Sequence, residues 1–223
     1  LDAKKRLKKR LNGVVGVDMP YSTKTAYGKI DLKKKLLKRN KKLKVLIPTH
    51  CFYDSPHSFG YNIFPDFYEW IDFLGQMTEK TNYDWYIKTH PDYLPGTLNI
   101  LKSFLKKYPK FNLLPSQSSH NQLAKEGIDA VLTVYGTIGC EYPLFFNKPV
   151  INASLNNPHI GYKFNYHSKS VKDYEKKIKN LPYLIKNFSV NKNEVYEYYY
   201  MQHLYKFKNI FYKNLIQFKN KKE

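Results

Sequence analysis

Between Leu43 and Asn152 the chain alternates short apolar runs with longer amphipathic stretches. The runs are Lys44–Thr49, Asp84–Lys88, Phe111–Leu114, Ala130–Val134 and Pro149–Asn152. Each is too short for a helix and nearly continuous in hydrophobicity, the pattern of a strand covered on both faces. Between them, Phe67–Lys80, Leu98–Tyr108, Ser119–Lys125 and Thr137–Phe146 carry helical spacing; Phe67, Trp70, Ile71 and Leu74 share one face. Strand–helix units repeated at this interval predict an α/β fold, a Rossmann-like doubly wound parallel sheet with flanking helices. Upstream, Leu7 and Leu11 suggest a helix over residues 1–12. Glycines and Pro20 suggest a connector over 13–28, and Asp31 is placed to start a basic helix reaching Arg39. From Val171 onward the chain reads as helical and rich in Tyr and Lys. The predicted division is a basic helical or linker segment over 1–42, the sheet domain over 43–170, and C-terminal helices over 171–223.

Composition narrows the class. With 42% hydrophobic and 17% aromatic residues in 223, the chain can bury a core and does not read as disordered. No run approaches the length of a membrane span, and Leu1–Arg6 has no apolar stretch behind it that would make a signal peptide. Two cysteines, Cys51 and Cys140, form no disulfide framework, which points to a reducing cytoplasm. The chain does not begin with Met and is read as part of something longer. The net charge of +20 is uneven: residues 1–44 hold 16 Lys/Arg against 3 Asp/Glu, and the rest 22 against 15. No zinc spacing, RNP-type strand or basic zipper accompanies that charge, so nucleic acid is not the expected partner. A solvated basic segment, a contact with an anionic membrane surface, or a contact with an anionic acceptor remain.

Open parallel sheets bind ligands outside the carboxyl ends of their strands, so the residues following each apolar run are the candidates for chemistry. In Thr133–Glu141 a strand enters a Gly turn and then a helix. Gly136 would let a phosphate approach the backbone, Thr137 could cap the helix or bond phosphate, and Glu141, one turn in, is placed for a ribose. Thr89-His90-Pro91-Asp92 directly follows the second strand; Pro91 disfavours helix for His90 and would hold it extended, ready to donate to a leaving phosphate. Ser118 and Ser119 open the helix after the third strand, as caps or phosphate ligands. After the first strand, His50, Asp54 and His57 cluster at no standard zinc spacing. Asp54 and His57 are therefore read as acid/base or substrate-positioning groups, and no metal is expected.

Taken in order, Ile87-Lys88-Thr89-His90-Pro91, Leu113-Leu114-Pro115, Ser118-Ser119-His120, Asp129–Glu141 and Lys148-Pro149-Val150-Ile151 resemble the C-terminal, donor-binding domain of GT-B glycosyltransferases of the capsule polysaccharide biosynthesis type. Sialyltransferase-like and Kdo-transferase-like enzymes carry a similar His-Pro motif. The resemblance covers roughly residues 43–165. It implies that His90 and Ser118 or Ser119 face the donor phosphates and that Glu141 faces the ribose. It also implies a nucleotide-sugar donor as substrate, no cofactor, and a polysaccharide or lipid-linked glycan acceptor. Residues 1–42 are too few for the first domain of such an enzyme, so the acceptor would be held by an N-terminal acceptor domain or a partner chain. The expected place is the cytoplasm, with peripheral contact at the inner face of the plasma membrane. The basic N-terminal region is expected to stay clear of the nucleotide site. Two other readings stay open: a phosphotransferase of CDP-alditols on a similar fold, and a non-catalytic polyanion-binding module.

Overall fold

The computed structural model describes residues 2–18, 22–28, 33–58, 60–90 and 92–205. In chain order these form α1 (Asp2–Leu11), β1 (Lys44–Pro48), α2 (Phe67–Lys80), β2 (Asp84–Lys88), α3 (Thr97–Lys107), β3 (Phe111–Leu113) and α4 (His120–Glu126). There follow β4 (Ala130–Thr133), α5 (Ile138–Phe146), β5 (Val150–Asn152), β6 (Tyr166–His167), α6 (Val171–Lys179), α7 (Leu181–Lys186) and α8 (Lys192–Tyr199), which runs into a π-helical turn at Tyr200–Leu204. Six parallel strands make one sheet in the order β3-β2-β1-β4-β5-β6. The expected α/β doubly wound sheet is what forms, and its strand order reverses between β1 and β4, the switch point where such sheets bind ligands.

The period-2 geometry of each strand sorts its apolar residues onto two faces. Val45, Ile47, Trp85, Ile87, Ala130, Leu132 and Ile151 point to the side covered by α2, α3, α6 and α7. Leu46, Tyr86, Val131 and Val150 point to the side covered by α4 and α5. Asp66 caps α2 through Glu69 N–H, and Ser119 caps α4 through Asn121 N–H, so two of the helix starts are fixed by side chains one residue before the helix. The short strand β6 carries no apolar run and was not anticipated.

The basic N-terminal region differs from expectation in two ways. Residues 33–39 are not helical. Their amides are taken by side chains of other elements: Leu36 and Leu37 N–H by the Glu126 carboxylate at 2.7 and 2.9 Å, and Lys38 N–H by the Tyr86 hydroxyl at 2.8 Å. Those bonds replace an i→i−4 ladder, and the segment lies against the sheet instead. Asp31, the expected helix start, lies outside the described residues. Second, α1 is part of the body: Ala3 and Leu7 are buried with Cys140 and Leu144 of α5 and Val195, Tyr198 and Tyr199 of α8.

Candidate functional site

All six strands are parallel, so the residues after β1, β2, β3 and β4 gather along one edge. His50, just past β1, lies at the switch point. Its ring stacks on Phe67 with centroids 4.6 Å apart, and Nε2 lies 3.1 Å from the Thr133 hydroxyl and accepts from Val134 N–H at 3.3 Å. Burial pulls its pKa down to about 3, with the charge of His90 adding to the effect, so His50 is a neutral structural imidazole. The Thr133 hydroxyl also accepts from Gly136 N–H at 3.2 Å, which shapes the turn into α5. A Cβ on Gly136 would sit 2.9 Å from that hydroxyl oxygen, so the turn is built around the missing side chain. Thr137 begins α5 without using its side chain as a cap.

His90 lies at the tip of β2. Its Nδ1 accepts from Asp92 N–H at 3.1 Å, which leaves the proton of the neutral ring on Nε2 as a donor. Partial desolvation lowers its pKa, opposed by Asp92 and Asp54. Asp54 is exposed in the loop after β1 and lies within electrostatic range of His90; His57 in the same loop is exposed, with Nε2 3.0 Å from the Pro65 carbonyl oxygen. Pro91, the second half of the His-Pro pair, lies outside the described residues. The hydroxyl of Ser118 is buried and has no partner among the described residues.

Ser119 and Glu141 are engaged from an unforeseen direction. Residues 22–28 cross the strand-end edge from β2 to α5. Thr23 Oγ1 donates to Asp92 at 2.5 Å, His120 N–H donates to the Ala26 carbonyl at 3.0 Å, and the Ser119 hydroxyl donates to the Gly28 carbonyl at 3.0 Å. The Tyr27 hydroxyl donates to Glu141 Oε2 at 2.8 Å, and its ring lies against His120 and Phe145. Arg10 of α1 donates from Nε to Glu141 Oε1 at 3.0 Å, with a second, shorter contact from the same guanidinium. Glu141 is buried, and its charge raises the pKa of Arg10. The expectation that the N-terminal region keeps away from this edge is therefore overturned: Arg10 and Tyr27 reach the residue picked out for the ribose.

His159 carries no local signal in the sequence, yet it is a packing centre. It is buried with Nδ1 2.8 Å from Asn165 Nδ2, its pKa pulled down to about 3 mainly by burial, and its ring packs on α5 where a Cβ at Gly139 would meet Cε1 at 2.5 Å. Among the described residues no group of three or more His, Cys, Asp or Glu is arranged to hold a metal ion, and no helix is long and apolar enough to cross a membrane.

No protein-family profile matches the chain, and no curated protein matches it. Among solved structures it is similar to the β-Kdo 2,4-transferase KpsC of Thermosulfurimonas dismutans, with a TM-score of 0.51 and 14% identity over 89% of this chain and 54% of that one. It is also similar, at TM-scores of 0.42 and 0.41 and identities of 14% and 16%, to two structures of the wall teichoic acid polymerase TagF, over 74% and 73% of this chain and 39% of each of those. The chain thus spans about half the length of KpsC. At these identities the likeness is one of fold, which this chain shares with a glycosyltransferase.

Proposed function

We propose that the chain is the donor-binding part of a GT-B type glycosyltransferase that adds a sugar from a nucleotide-activated donor to a surface polysaccharide. The observation that carries the reading is His90. Its Nε2–H donor is set by the Asp92 amide, and it stands on the same strand-end edge as the Gly136 turn, with His50 between the two. Glycosyl transfer places growing negative charge on the leaving phosphate, and a fixed neutral N–H donor at that position helps the transition state more than the ground state. Gly136 and Thr137 at the start of α5 and the Ser118 hydroxyl complete the phosphate surroundings in this reading, and Asp54, within electrostatic range of His90, is the candidate base. Ser119 would contact donor only after residues 22–28 leave it, and Glu141 only after Arg10 leaves it as well. The fold shared with a Kdo transferase supports the class. In this reading a further domain or partner chain holds the acceptor, a polysaccharide or lipid-linked glycan, in the cytoplasm or at the inner face of the plasma membrane.

Calorimetry of the chain against UDP-, GDP- and CMP-linked sugars and CDP-alditols tests this. Saturable binding of one nucleotide class, lost when the Gly136 turn is blocked by Gly136→Val in a folded variant, is the expected result. Preference for a CDP-alditol would move the reading to phosphotransfer. Binding of unrelated polyanions alone, lost on adding salt, would replace it with a charge-only module.

A further inference from the structure

The last residue of β2 is a buried ammonium. Lys88 is 1% exposed. It follows Tyr86 on the α4/α5 side of the sheet, and Nζ donates to two neutral acceptors, the carbonyls of Ser116 at 3.2 Å and Thr89 at 3.4 Å. Among the described residues no carboxylate pairs with it: the ion pairs lie elsewhere, and Asp92 faces Thr23 and His90. Burial pushes its pKa down to about 8, so it stays largely charged at neutral pH. An ammonium removed from water without an opposite charge costs several kcal/mol, and an apolar side chain of similar length would avoid that cost. The turn that holds Nζ is closed by Ser118 N–H on the Pro115 carbonyl at 3.0 Å and carries the Ser118 hydroxyl, which is buried without a partner among the described residues.

We propose that Lys88, with the Ser118 hydroxyl on the adjoining turn, is the counter-charge for a phosphate of the bound nucleotide. This rests on the donor-site reading above and adds to it the group that neutralises the donor's anion, between the tips of β2 and β3. His90 then supplies a hydrogen bond and Lys88 the charge.

The charge gives the proposal its own pH signature. A phosphate holds Lys88 protonated, so affinity stays level below about pH 8 and falls above it. The groups within electrostatic range of Lys88 are His90 from the loop after β2 and His120 from α4; against His120 stand Tyr142 of α5, 2.9 Å from its Nδ1, and Tyr27. Both histidines have lowered pKa values and both tyrosines raised ones, so none titrates between pH 7 and 9.

The test is calorimetry of the whole chain with CMP, CDP, UDP and GDP, and with the uncharged nucleosides, at about pH 7, and a second series at about pH 9 with the cytosine probes, whose base does not titrate between the two values. In Lys88→Met, affinity for the phosphate-bearing probe should drop at least about tenfold, in the range of a lost charged hydrogen bond. Nucleoside affinity should hold, the fall between the two pH values should vanish, and the ligand-free melting temperature should rise. A folded Lys88→Met with unchanged affinity and the wild-type pH profile overturns the proposal while leaving the donor-site reading standing. If the wild-type chain binds no nucleotide, both fall. Should Lys88→Met not fold, Lys88→Arg decides, because a guanidinium keeps its charge throughout this range. A level affinity for the cytosine probes up to about pH 9 supports the proposal, and a fall like that of wild type overturns it.

Discussion

Arg10 Nε lies 3.0 Å from Glu141 Oε1, joining the end of α1 to the first turn of α5 across 131 residues of sequence. The pair is well shielded, with side chains 14% and 5% exposed, and Tyr27 completes the carboxylate's bonding. Removing one partner of such a pair leaves a buried charge unmatched, at a cost of about 3–5 kcal/mol. Arg10→Met and Glu141→Leu should each lower stability by that order in urea unfolding, while the double variant recovers much of the loss. Equal and additive losses would show that the two residues act separately.

Because α1 shares its core with α5 and α8, shortening the chain should not yield an intact sheet domain. Removing residues 1–28 uncovers Leu144, Phe164 and Tyr198 and strips Glu141 of both partners. The shortened protein should melt at least about 10 °C lower than the whole chain, as a loss of several kcal/mol implies. An unchanged transition by circular dichroism would mean that the N-terminal segment is an appendage and not an integral layer of the fold.

His50 and His159 are held neutral, each with a pKa of about 3. In the unfolded chain each takes a proton near pH 6.5, and in the folded chain it does not. Their contribution is therefore whole above pH 6.5 and falls as the pH drops toward 3, by about 1.4 kcal/mol per unit for each ring. Melting followed from pH 7 to 4 should show this decline, and His50→Asn should make it shallower. A His50→Asn profile parallel to that of wild type would mean the ring is not kept neutral.

Gly139 and His159 form a close contact that allows no methyl group. Gly139→Ala should cost about 1–3 kcal/mol by overpacking, and much less in a His159→Ala background. Chemical denaturation of the four variants measures the coupling. A penalty of the same size in both backgrounds would place the difficulty in the helix itself.

If His90 donates to the leaving phosphate, His90→Ala should lower kcat about a hundredfold in an enzyme complete with its acceptor domain, with KM for the donor changed only a few-fold. The reverse split would make it a ground-state binding residue.

The sheet was legible in the sequence because its strands are buried on both sides: runs such as Val45-Leu46-Ile47 and Ala130-Val131-Leu132 leave little else for the chain to do. The helices between them were legible by period, and most boundaries shifted by only a residue or so. Tyr166–His167 escaped because two residues carry no period. The segment 33–39 misled because lysines and leucines favour helix in isolation, while the bonds that decided its path come from Glu126 and Tyr86, far away in sequence. At the strand ends, the residue types were readable but their surroundings were not. Nothing in the sequence around Lys88 announces its burial, which comes with the turn between β3 and α4 whose Ser116 carbonyl takes its Nζ, and nothing near Glu141 announces Arg10.

Thr133 joins the loops after β1 and β4, since its hydroxyl meets both the Gly136 amide and the His50 ring. Those two walls are therefore tied to each other, and the tip of the β1 loop is tied across as well, the Tyr135 hydroxyl donating to the Ser55 carbonyl at 3.0 Å. The turn after β2 leans on the same loop: Gly96, left-handed with φ of 89°, sits where a Cβ would run into the Tyr53 hydroxyl oxygen. A side chain at Gly96 would thus push against the loop that carries Asp54.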